Sequence, residues 1–368
     1  MARPAVARRR LLVPETVQSS AMDCGPAALK CLLEGFHVAV SYGRLREACQ
    51  TDVDGTSIDA LEEVAVQLGL EAEQVMAPVD HLLIPAARLL PALVVMRQPD
   101  GATHFVVAWR RWGPVVQLMD PATGRRWLSC RGFLDEVYLH EFPVAESEWR
   151  AWAGSEEERG VFGARLARLG VGGGPAERLL EEAGSDPGWR AFAALDTSLR
   201  AVEAIVRSGG LGAGEEAARV LERLFTRARE EASNVPPPAY WPVRPAPPGP
   251  EGERRLVLRG AVLLQVRGPR AAEGAAARAP LSPELVAALE EAPSRPGREL
   301  LRLLAADDLL APSALLVAFA IAAAAVVFEA VLLRSLFDLG RALAIAVEHD
   351  VDQRFRPVRG LLREPADG

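Results

Sequence analysis

Between residues 13 and 142, apolar positions recur first at helical spacing and then at strand spacing. Three short helices are predicted, over residues 26–33, 42–50 and 58–70, the last one capped by Ser57. Four strands are predicted after them, over residues 93–96, 103–110, 115–119 and 126–130. Because helices come first and an antiparallel sheet follows, the pattern predicts an α+β domain.

After residue 142, the residue composition and the spacing of apolar positions change several times along the chain. Ala, Leu, Arg and Glu at helical spacing predict a helical region of unknown role, and two proline clusters after it predict a stiff linker. Residues 254–268 are typical of a hairpin. The predicted organisation is a basic tail (1–11), the α+β domain (12–145), the helical region (148–232), the Pro-rich linker (233–252), a hairpin and helical segment (253–308), a transmembrane helix (309–333) and a tail (334–368).

Residues 309–328 contain no charged side chain, and this is about the length that a helix needs to cross a bilayer. The alternative is a buried helix of a soluble domain, since the many alanines make the run only moderately hydrophobic. We favour a membrane span, because an uninterrupted apolar run of this length is uncommon in soluble cores. Arginines such as Arg302 and Arg334 flank both ends, so the charge bias does not set the orientation.

Charge and cysteine content exclude some partners and sites. The formal net charge of −7 gives no indication of a nucleic-acid partner. No Cys-x-x-Cys pair occurs, so zinc-ligand spacing is absent and no metal or other cofactor is expected. Only three apolar residues separate Arg10 from Pro14, too few for a secretory signal. We therefore expect the N-terminal part to lie in the reducing cytoplasm with free thiols.

Cys24 stands in a sequence context that suits a nucleophile. A thiol reacts as the thiolate, and the N-terminus of a helix favours that anion. Asp23 is a capping residue type and Pro26 suits the first turn, so Cys24 is predicted to lie at a helix start. The alternative for this cysteine is an inert thiol packed in the core.

Three further residues are predicted to complete the chemistry. Gln18, six residues before Cys24, can donate its side-chain amide to an oxyanion together with the Cys24 N–H. His104 opens a strand and is the candidate base. Asp120 ends the next antiparallel strand, where it can accept from the far nitrogen of the imidazole.

These assignments also have alternatives. His104 is alternatively a satisfied core histidine, and the Asp-Pro pair at residue 120 is alternatively only a turn. His37, His81 and His140 compete for the role of base, but none opens an apolar strand, and they are interpreted as surface residues.

Together, these residues resemble the sequence motifs of a known family. Gln18-x(4)-Asp23-Cys24-Gly-x-Ala, a later His104-Phe-Val-Val strand and Asp120-Pro are similar to peptidase family C39, over roughly residues 12–142. The family comprises the bacteriocin-processing domains of peptidase-containing ABC exporters. The resemblance implies a papain-like fold and cleavage of leader peptides after a double-glycine-type site. By that resemblance Cys24 is the nucleophile, His104 the base, Asp120 the orienting residue and Gln18 the oxyanion donor.

The sequence therefore predicts a membrane-anchored cysteine endopeptidase at the cell membrane, with its peptidase domain on the cytoplasmic side. Its expected substrate is the leader of a secreted peptide or bacteriocin precursor. A Gly-x(4)-Gly-Lys-Ser/Thr loop cannot occur, because the only lysine is Lys30. An ABC transporter subunit is thus expected as the partner that supplies transport and ATP hydrolysis. Two alternatives stay open: a module that binds leaders without cutting them, and half of a split exporter.

Overall fold

The computed structural model describes residues 9–52, 55–98, 100–230, 235–247, 253–270, 281–291, 296–306 and 314–337. They belong to two compact units, one within 1–293 and the other within 294–368. Most of the predicted tails, residues 1–8 and 338–368, lies outside the described residues, as do residues 309–313 of the predicted membrane span.

The first unit begins with the helices and strands that the sequence predicts. The first helices are α1 (Cys24–Gly35), α2 (Tyr42–Ala48) and α3 (Ile58–Gln67). The next elements are β1 (Leu70–Ala77), β2 (Ala92–Arg97), β3 (Thr103–Trp112), β4 (Val115–Asp120), β5 (Gly124–Ser129), α4 (Cys130–Glu136) and β6 (His140–Ala145). The predicted α+β class is confirmed, and each predicted helix and strand has a counterpart; β1, α4 and β6 are additional.

The hairpin predicted within 254–268 is wrong, because these residues form one long strand, β8 (Arg255–Pro269). Its first half pairs with β6 and with the short strand β7 (Val243–Pro245), and its second half pairs with β1 and β2. Gly260 makes no turn: a Cβ there would lie 2.5 Å from the Ala77 carbonyl oxygen, so glycine permits the close approach of β1. The resulting strand order is β1-β8-β2-β3-β4-β5.

The described part of the stretch predicted as a helical region contains five helices with a core of their own. The helices are α5 (Glu146–Ala153), α6 (Glu156–Arg168), α7 (Gly174–Ser185), α8 (Arg190–Arg207) and α9 (Glu215–Arg229). Phe162, Phe192 and Phe225 are buried among them, together with Leu256 and Leu258 from β8. The helical region therefore packs on the first half of β8.

The Pro-rich linker prediction is wrong for its described part, residues 235–247. Trp241 packs edge-on against Trp189 of the helical region, with ring centroids 6.3 Å apart, and Val243 is buried. Prolines are compatible with this because β7 is a short strand with a single pairing partner. Residues 233–234 and 248–252 of the predicted linker lie outside the described residues.

Helix α10 (Pro283–Glu290) belongs to the α+β core although it follows β8. Leu285 is 1% exposed and packs in the same cluster as the apolar residues of α1. The Ser41 N–H donates to the Ala288 carbonyl oxygen at 2.8 Å, which joins α10 to the start of α2. The α+β domain thus uses residues from both sides of the helical region.

The second unit contains two described helices, α11 (Pro296–Ala306) and α12 (Ala314–Phe337). In the described part of the chain, α12 is the one helix long and apolar enough to cross a membrane, by length and composition, with a mean hydropathy of 2.6. It ends at Phe337, four residues beyond the predicted boundary at 333. Its side chains, Phe319 and Phe328 among them, are exposed within the unit.

Candidate active site

Close packing places α1 directly on the sheet. Gly35 faces Trp109 of β3, and a Cβ there would lie 2.3 Å from the ring carbon Cη2. At the other end, Gly25 packs against Thr56 and Leu61, where a Cβ would meet carbon atoms at 3.1 and 3.2 Å. These contacts fix the start of α1, and with it Cys24, beside the strand that carries His104.

His104 and Asp120 lie at adjacent strand ends, as the sequence predicts. His104 is the second residue of β3, and Asp120 is the last residue of the antiparallel β4. Nε2 of His104 lies 2.8 Å from Oδ1 of Asp120. Both side chains are buried, which shields this hydrogen bond from water.

The Asp120 carboxylate has two further donors. The Ala122 N–H donates to Oδ1 at 2.9 Å, and Nη1 of Arg126 donates to Oδ2 at 3.0 Å. Burial opposes ionisation, but the hydrogen bonds from His104, Ala122 and Arg126 outweigh it and hold the pKa of Asp120 well below its usual range. Glu136 binds the other side of the Arg126 guanidinium at 3.4 Å. Asp120 is therefore an ionised and firmly oriented acceptor.

Cys24 is the first residue of α1 and is partly exposed. Burial works against ionisation of its thiol. Hydrogen bonds from the His104 side chain and from the backbone N–H groups of Phe105 and Gly25 outweigh that effect and lower the pKa of Cys24. The Cys24 N–H has no acceptor within the helix, since the hydrogen-bond ladder starts with Ala27 N–H donating to Asp23 at 3.1 Å.

The imidazole of His104 bridges the thiol and the carboxylate. Because Nε2 faces Asp120, Nδ1 is the nitrogen left to face Cys24. Burial favours the neutral ring, but the hydrogen bonds with Asp120 and Cys24 dominate and raise the pKa of His104 to about 9. A lowered thiol pKa beside a raised imidazole pKa favours a thiolate–imidazolium pair near neutral pH.

Gln18 joins the same group of residues through its backbone. Its N–H donates to the Pro121 carbonyl oxygen at 2.9 Å, directly after Asp120. Its side-chain Oε1 is buried and has no hydrogen-bond partner among the described residues. All four predicted site residues, Gln18, Cys24, His104 and Asp120, are thus connected through one another or through adjacent residues.

Asp23 departs from the prediction. It occupies the N-cap position of α1, but its side chain makes no capping hydrogen bond. Its carboxylate instead accepts from Ser19 Oγ at 2.9 Å and pairs with Nε of Arg46 at 2.7 Å. Sequence reasoning missed this arrangement because Arg46 lies on a different helix, α2.

Arg126 was also missed, although the sequence carries a signal for it. Leu118 pairs with Arg126 and Asp120 pairs with Gly124 in the β4–β5 ladder, so Asp120 and Arg126 are diagonal neighbours on one face. Opposite charges at such diagonal positions of a predicted hairpin indicate a cross-strand ion pair.

The competing histidines lie elsewhere. His81 is only 2% exposed, so its interpretation as a surface residue is wrong. Its Nδ1 lies 3.6 Å from Glu158 of the helical region, and its ring stacks near Trp152. Burial lowers its pKa to about 4, because the surroundings disfavour the charged ring. His37 is exposed, and His140 is partly exposed in β6.

The remaining thiols are distinct from Cys24. Cys31 and Cys49 are buried core residues, and burial raises the pKa of each to about 12. Cys130 is partly exposed at the start of α4, with Sγ 3.6 Å from the Gly113 carbonyl oxygen. All four cysteines are free. Across the residues that the structure describes, no group of three or more His, Cys, Asp or Glu side chains is arranged to hold a metal ion.

Comparison with known proteins gives related sequences for the α+β domain. The family model of the Peptidase C39 family matches residues 13–137. Lactococcin-G-processing and transport ATP-binding protein LagD of Lactococcus lactis subsp. lactis is 29% identical over 132 residues, which are 35% of this chain and 19% of that protein. Pediocin PA-1 transport/processing ATP-binding protein PedD of Pediococcus acidilactici is 33% identical over 96 residues, which are 26% and 13% of the two chains. The chain therefore spans less than a fifth of the length of either relative.

Two further similarities cover most of the matching protein. An uncharacterised protein of Methanothermobacter marburgensis is 30% identical over 131 residues, which are 36% of this chain and 87% of that protein. Among solved structures, a double glycine motif protease from an AMS/PCAT transporter, in complex with the leader peptide, matches at 25% identity. That match has a TM-score of 0.31 and covers 36% of this chain and 90% of the other.

Proposed function

Because this chain belongs to the peptidase C39 family through residues 13–137, we propose that it is a cysteine endopeptidase that removes the leader of a secreted peptide precursor. The observation that carries the proposal is the continuous contact from the Cys24 thiol through His104 to Asp120. A thiol in ordinary core packing does not require an oriented imidazole and a buried, ionised carboxylate behind it.

In the proposed mechanism, the Cys24 thiolate attacks the carbonyl carbon of the scissile peptide bond. The Cys24 N–H and the Gln18 side-chain amide donate to the oxyanion of the tetrahedral intermediate. Nδ1–H of His104 protonates the leaving amine, and the C–N bond breaks to give an acyl-enzyme. His104 then takes a proton from water, whose oxygen attacks the thioester; the C–S bond breaks, the acid is released, and the Cys24 thiolate and His104 imidazolium are restored. Asp120 keeps the imidazole oriented through both steps.

The proposed substrate class and location rest on two further observations. LagD and PedD are named as processing and transport proteins, which supports a leader substrate and an ABC transporter partner. Helix α12 has the length and composition of a membrane span, which supports anchoring at the cell membrane. We propose the cytoplasmic side for the peptidase domain, where its free thiols would stay reduced. Small residues before the cut, as in a double-glycine site, are the expected specificity.

The activity is tested with synthetic leader peptides that carry Gly-Gly before the cut, with mass spectrometry to locate the new termini. We expect cleavage after the second glycine by the wild-type chain and none by Cys24→Ala. Cys130→Ala is the matched control, because it removes a partly exposed thiol outside the site and should leave cleavage unchanged. Circular dichroism checks that both variants fold.

The test also separates the proposed activity from leader binding alone. Binding of the leader peptide by the wild-type chain, without a new terminus, would support a module that holds leaders for a separate transporter without cutting them. Cleavage that persists in Cys24→Ala would refute the assignment of Cys24 as the nucleophile.

A further inference from the structure

Asp23 is a fully buried carboxylate immediately before the proposed nucleophile. It makes no capping hydrogen bond to α1, so it does not serve the helix in the usual way. A negative charge one residue from Cys24 cannot favour ionisation of the thiol. Neither helix capping nor thiol activation therefore accounts for this side chain.

The contacts of Asp23 close the loop that leads into α1. Oδ2 accepts from Ser19 Oγ at 2.9 Å, and the Asp23 N–H donates to the Ser20 carbonyl oxygen at 3.1 Å. On its other side, Oδ1 pairs with Nε of Arg46 from α2 at 2.7 Å. The carboxylate thus ties the start of the loop to its end, and ties both to α2.

This loop connects the two proposed oxyanion donors. Gln18 directly precedes Ser19, and Cys24 directly follows Asp23. The Asp23–Ser19 hydrogen bond therefore constrains the loop between Gln18 and Cys24. Two more anchors hold the loop: Gln18 N–H donates to Pro121 at 2.9 Å, and Ser19 N–H donates to the Tyr42 hydroxyl at 3.4 Å.

We propose that Asp23 is a positioning residue that assembles the oxyanion site by holding Gln18 at a fixed distance from Cys24. The inference rests on the proposed peptidase function and deepens it. Oxyanion donors must lie within hydrogen-bond distance of a charge that forms only during the reaction, so a small displacement of Gln18 lowers the rate without removing any catalytic group.

The test compares two reactions of the same thiol in Asp23→Asn. Peptide cleavage needs the oxyanion donors, whereas alkylation of Cys24 by iodoacetamide forms no oxyanion. We expect kcat for leader cleavage to fall by about 10- to 100-fold. Removing an oxyanion donor outright lowers kcat by about 10²- to 10³-fold, and a displaced donor should cause no greater loss. The alkylation rate should stay at the wild-type value or rise, since a negative charge near the thiolate is removed.

A double-mutant cycle with Gln18→Ala tests whether Asp23 affects kcat through Gln18. If Asp23 acts through Gln18, Asp23→Asn should cause little further loss of kcat in the Gln18→Ala background. Ser19→Ala removes the donor of the hydrogen bond to Asp23, and it should lower kcat by a similar factor. Asp59→Asn is the matched control, because it neutralises an exposed carboxylate outside the site.

The outcomes are distinguishable. Additive losses of kcat in the double mutant, or equal losses of cleavage and alkylation, would overturn the positioning role. Ser19→Ala keeps the test valid if Asp23→Asn fails to fold, because it retains the ion pair between the buried Asp23 and the half-exposed Arg46. Failure of the wild-type chain to cleave any leader would refute the proposed function itself, before the variants are compared.

Discussion

At Cys24 and His104, the pKa of the acid is lowered and the pKa of the base is raised. A thiolate–imidazolium pair is therefore expected between the lowered pKa of Cys24 and the His104 pKa of about 9. We expect kcat/KM for leader cleavage to rise as Cys24 ionises, below the ordinary thiol pKa of about 8.5. It should fall again near pH 9, as His104 loses the proton that the leaving amine needs.

The pH dependence of alkylation provides a second measurement of the pKa at which Cys24 ionises. Iodoacetamide labelling followed by mass spectrometry should modify Cys24 faster than Cys130 at pH 6 to 7, although both thiols are partly exposed. Cys130 thus serves as an internal control within one sample. An alkylation rate of Cys24 that rises only at or above the ordinary thiol pKa would contradict the thiolate–imidazolium pair.

Asp120→Asn tests the carboxylate behind the imidazole. The amide oxygen can still accept from His104, but the amide nitrogen then faces the Arg126 donor that now binds Oδ2 at 3.0 Å. Loss of the charge should lower the His104 pKa, so the falling limb of the pH profile moves from near 9 toward neutral pH. We expect kcat/KM to fall on the order of 10²-fold. A falling limb that does not move would show that Asp120 has no electrostatic role.

At the scale of elements, periodicity predicted those parts of the domain whose own sequence matches their structure. Strands β2 to β5 are rich in Val, Trp and other strand formers, and α3 begins at its predicted cap, where Ser57 accepts from Ala60 at 3.2 Å. Strand β1 was missed because Leu70–Ala77 consists largely of helix-forming residues. Its pairing with β8, about 190 residues later, overrides that preference and cannot be read locally.

The same distinction applies to the site. The convergence of Cys24, His104 and Asp120 could be predicted, because a helix start and two adjacent ends of antiparallel strands are local features of the sequence. The contacts of Asp23 were not, because its partner Arg46 lies on α2 and the sequence alone does not give the packing of α2 against the loop. His81 was misassigned for a similar reason, since the helical region covers it.

Gly35→Ala tests the packing of α1 on β3. The added Cβ would lie 2.3 Å from a ring carbon of the fully buried Trp109, so the helix or the ring must shift. We expect the free energy of unfolding to fall by about 1–3 kcal/mol, as for other overpacked cores, measured by urea denaturation. Gly43→Ala in α2 is the matched control, because a Cβ there meets nothing within 4 Å. That variant should be neutral or more stable by about 0.5–1 kcal/mol.

At the scale of the whole molecule, the helical region is an insertion between paired strands. Ala145 at the end of β6 pairs with Arg255 at the start of β8, and the Glu146 N–H donates to the Arg254 carbonyl oxygen at 3.1 Å. The chain therefore leaves the α+β domain and returns to it at one place. An ion pair connects the insertion to the domain, because the buried Arg165 of α6 lies 3.6 Å from the partly exposed Asp80, which follows β1.

A chain that ends at residue 145 should fail to fold, although it contains all four proposed site residues. Without β8, β1 loses the strand with which it pairs, and β2 loses its neighbour on the side away from β3. A chain that ends at residue 293 retains β8 and α10 and should fold. Circular dichroism and urea unfolding of both chains check this. Cooperative unfolding of the shorter chain would show that β8 is dispensable for the domain.

Anchoring of the whole chain is a separate prediction that depends on α12. We expect the full chain to sediment with membranes and to resist extraction at alkaline pH, and the chain that ends at residue 293 to stay in the supernatant. Val326→Arg places a charge near the centre of α12, where it costs about 2.5–3.5 kcal/mol for insertion into a bilayer, and should release a fraction of the protein. Val326→Leu is the matched control and should remain membrane-bound. Equal sedimentation of all four proteins would show that α12 is not the anchor, and leader cleavage by the released chain would show that anchoring and proteolysis are separable.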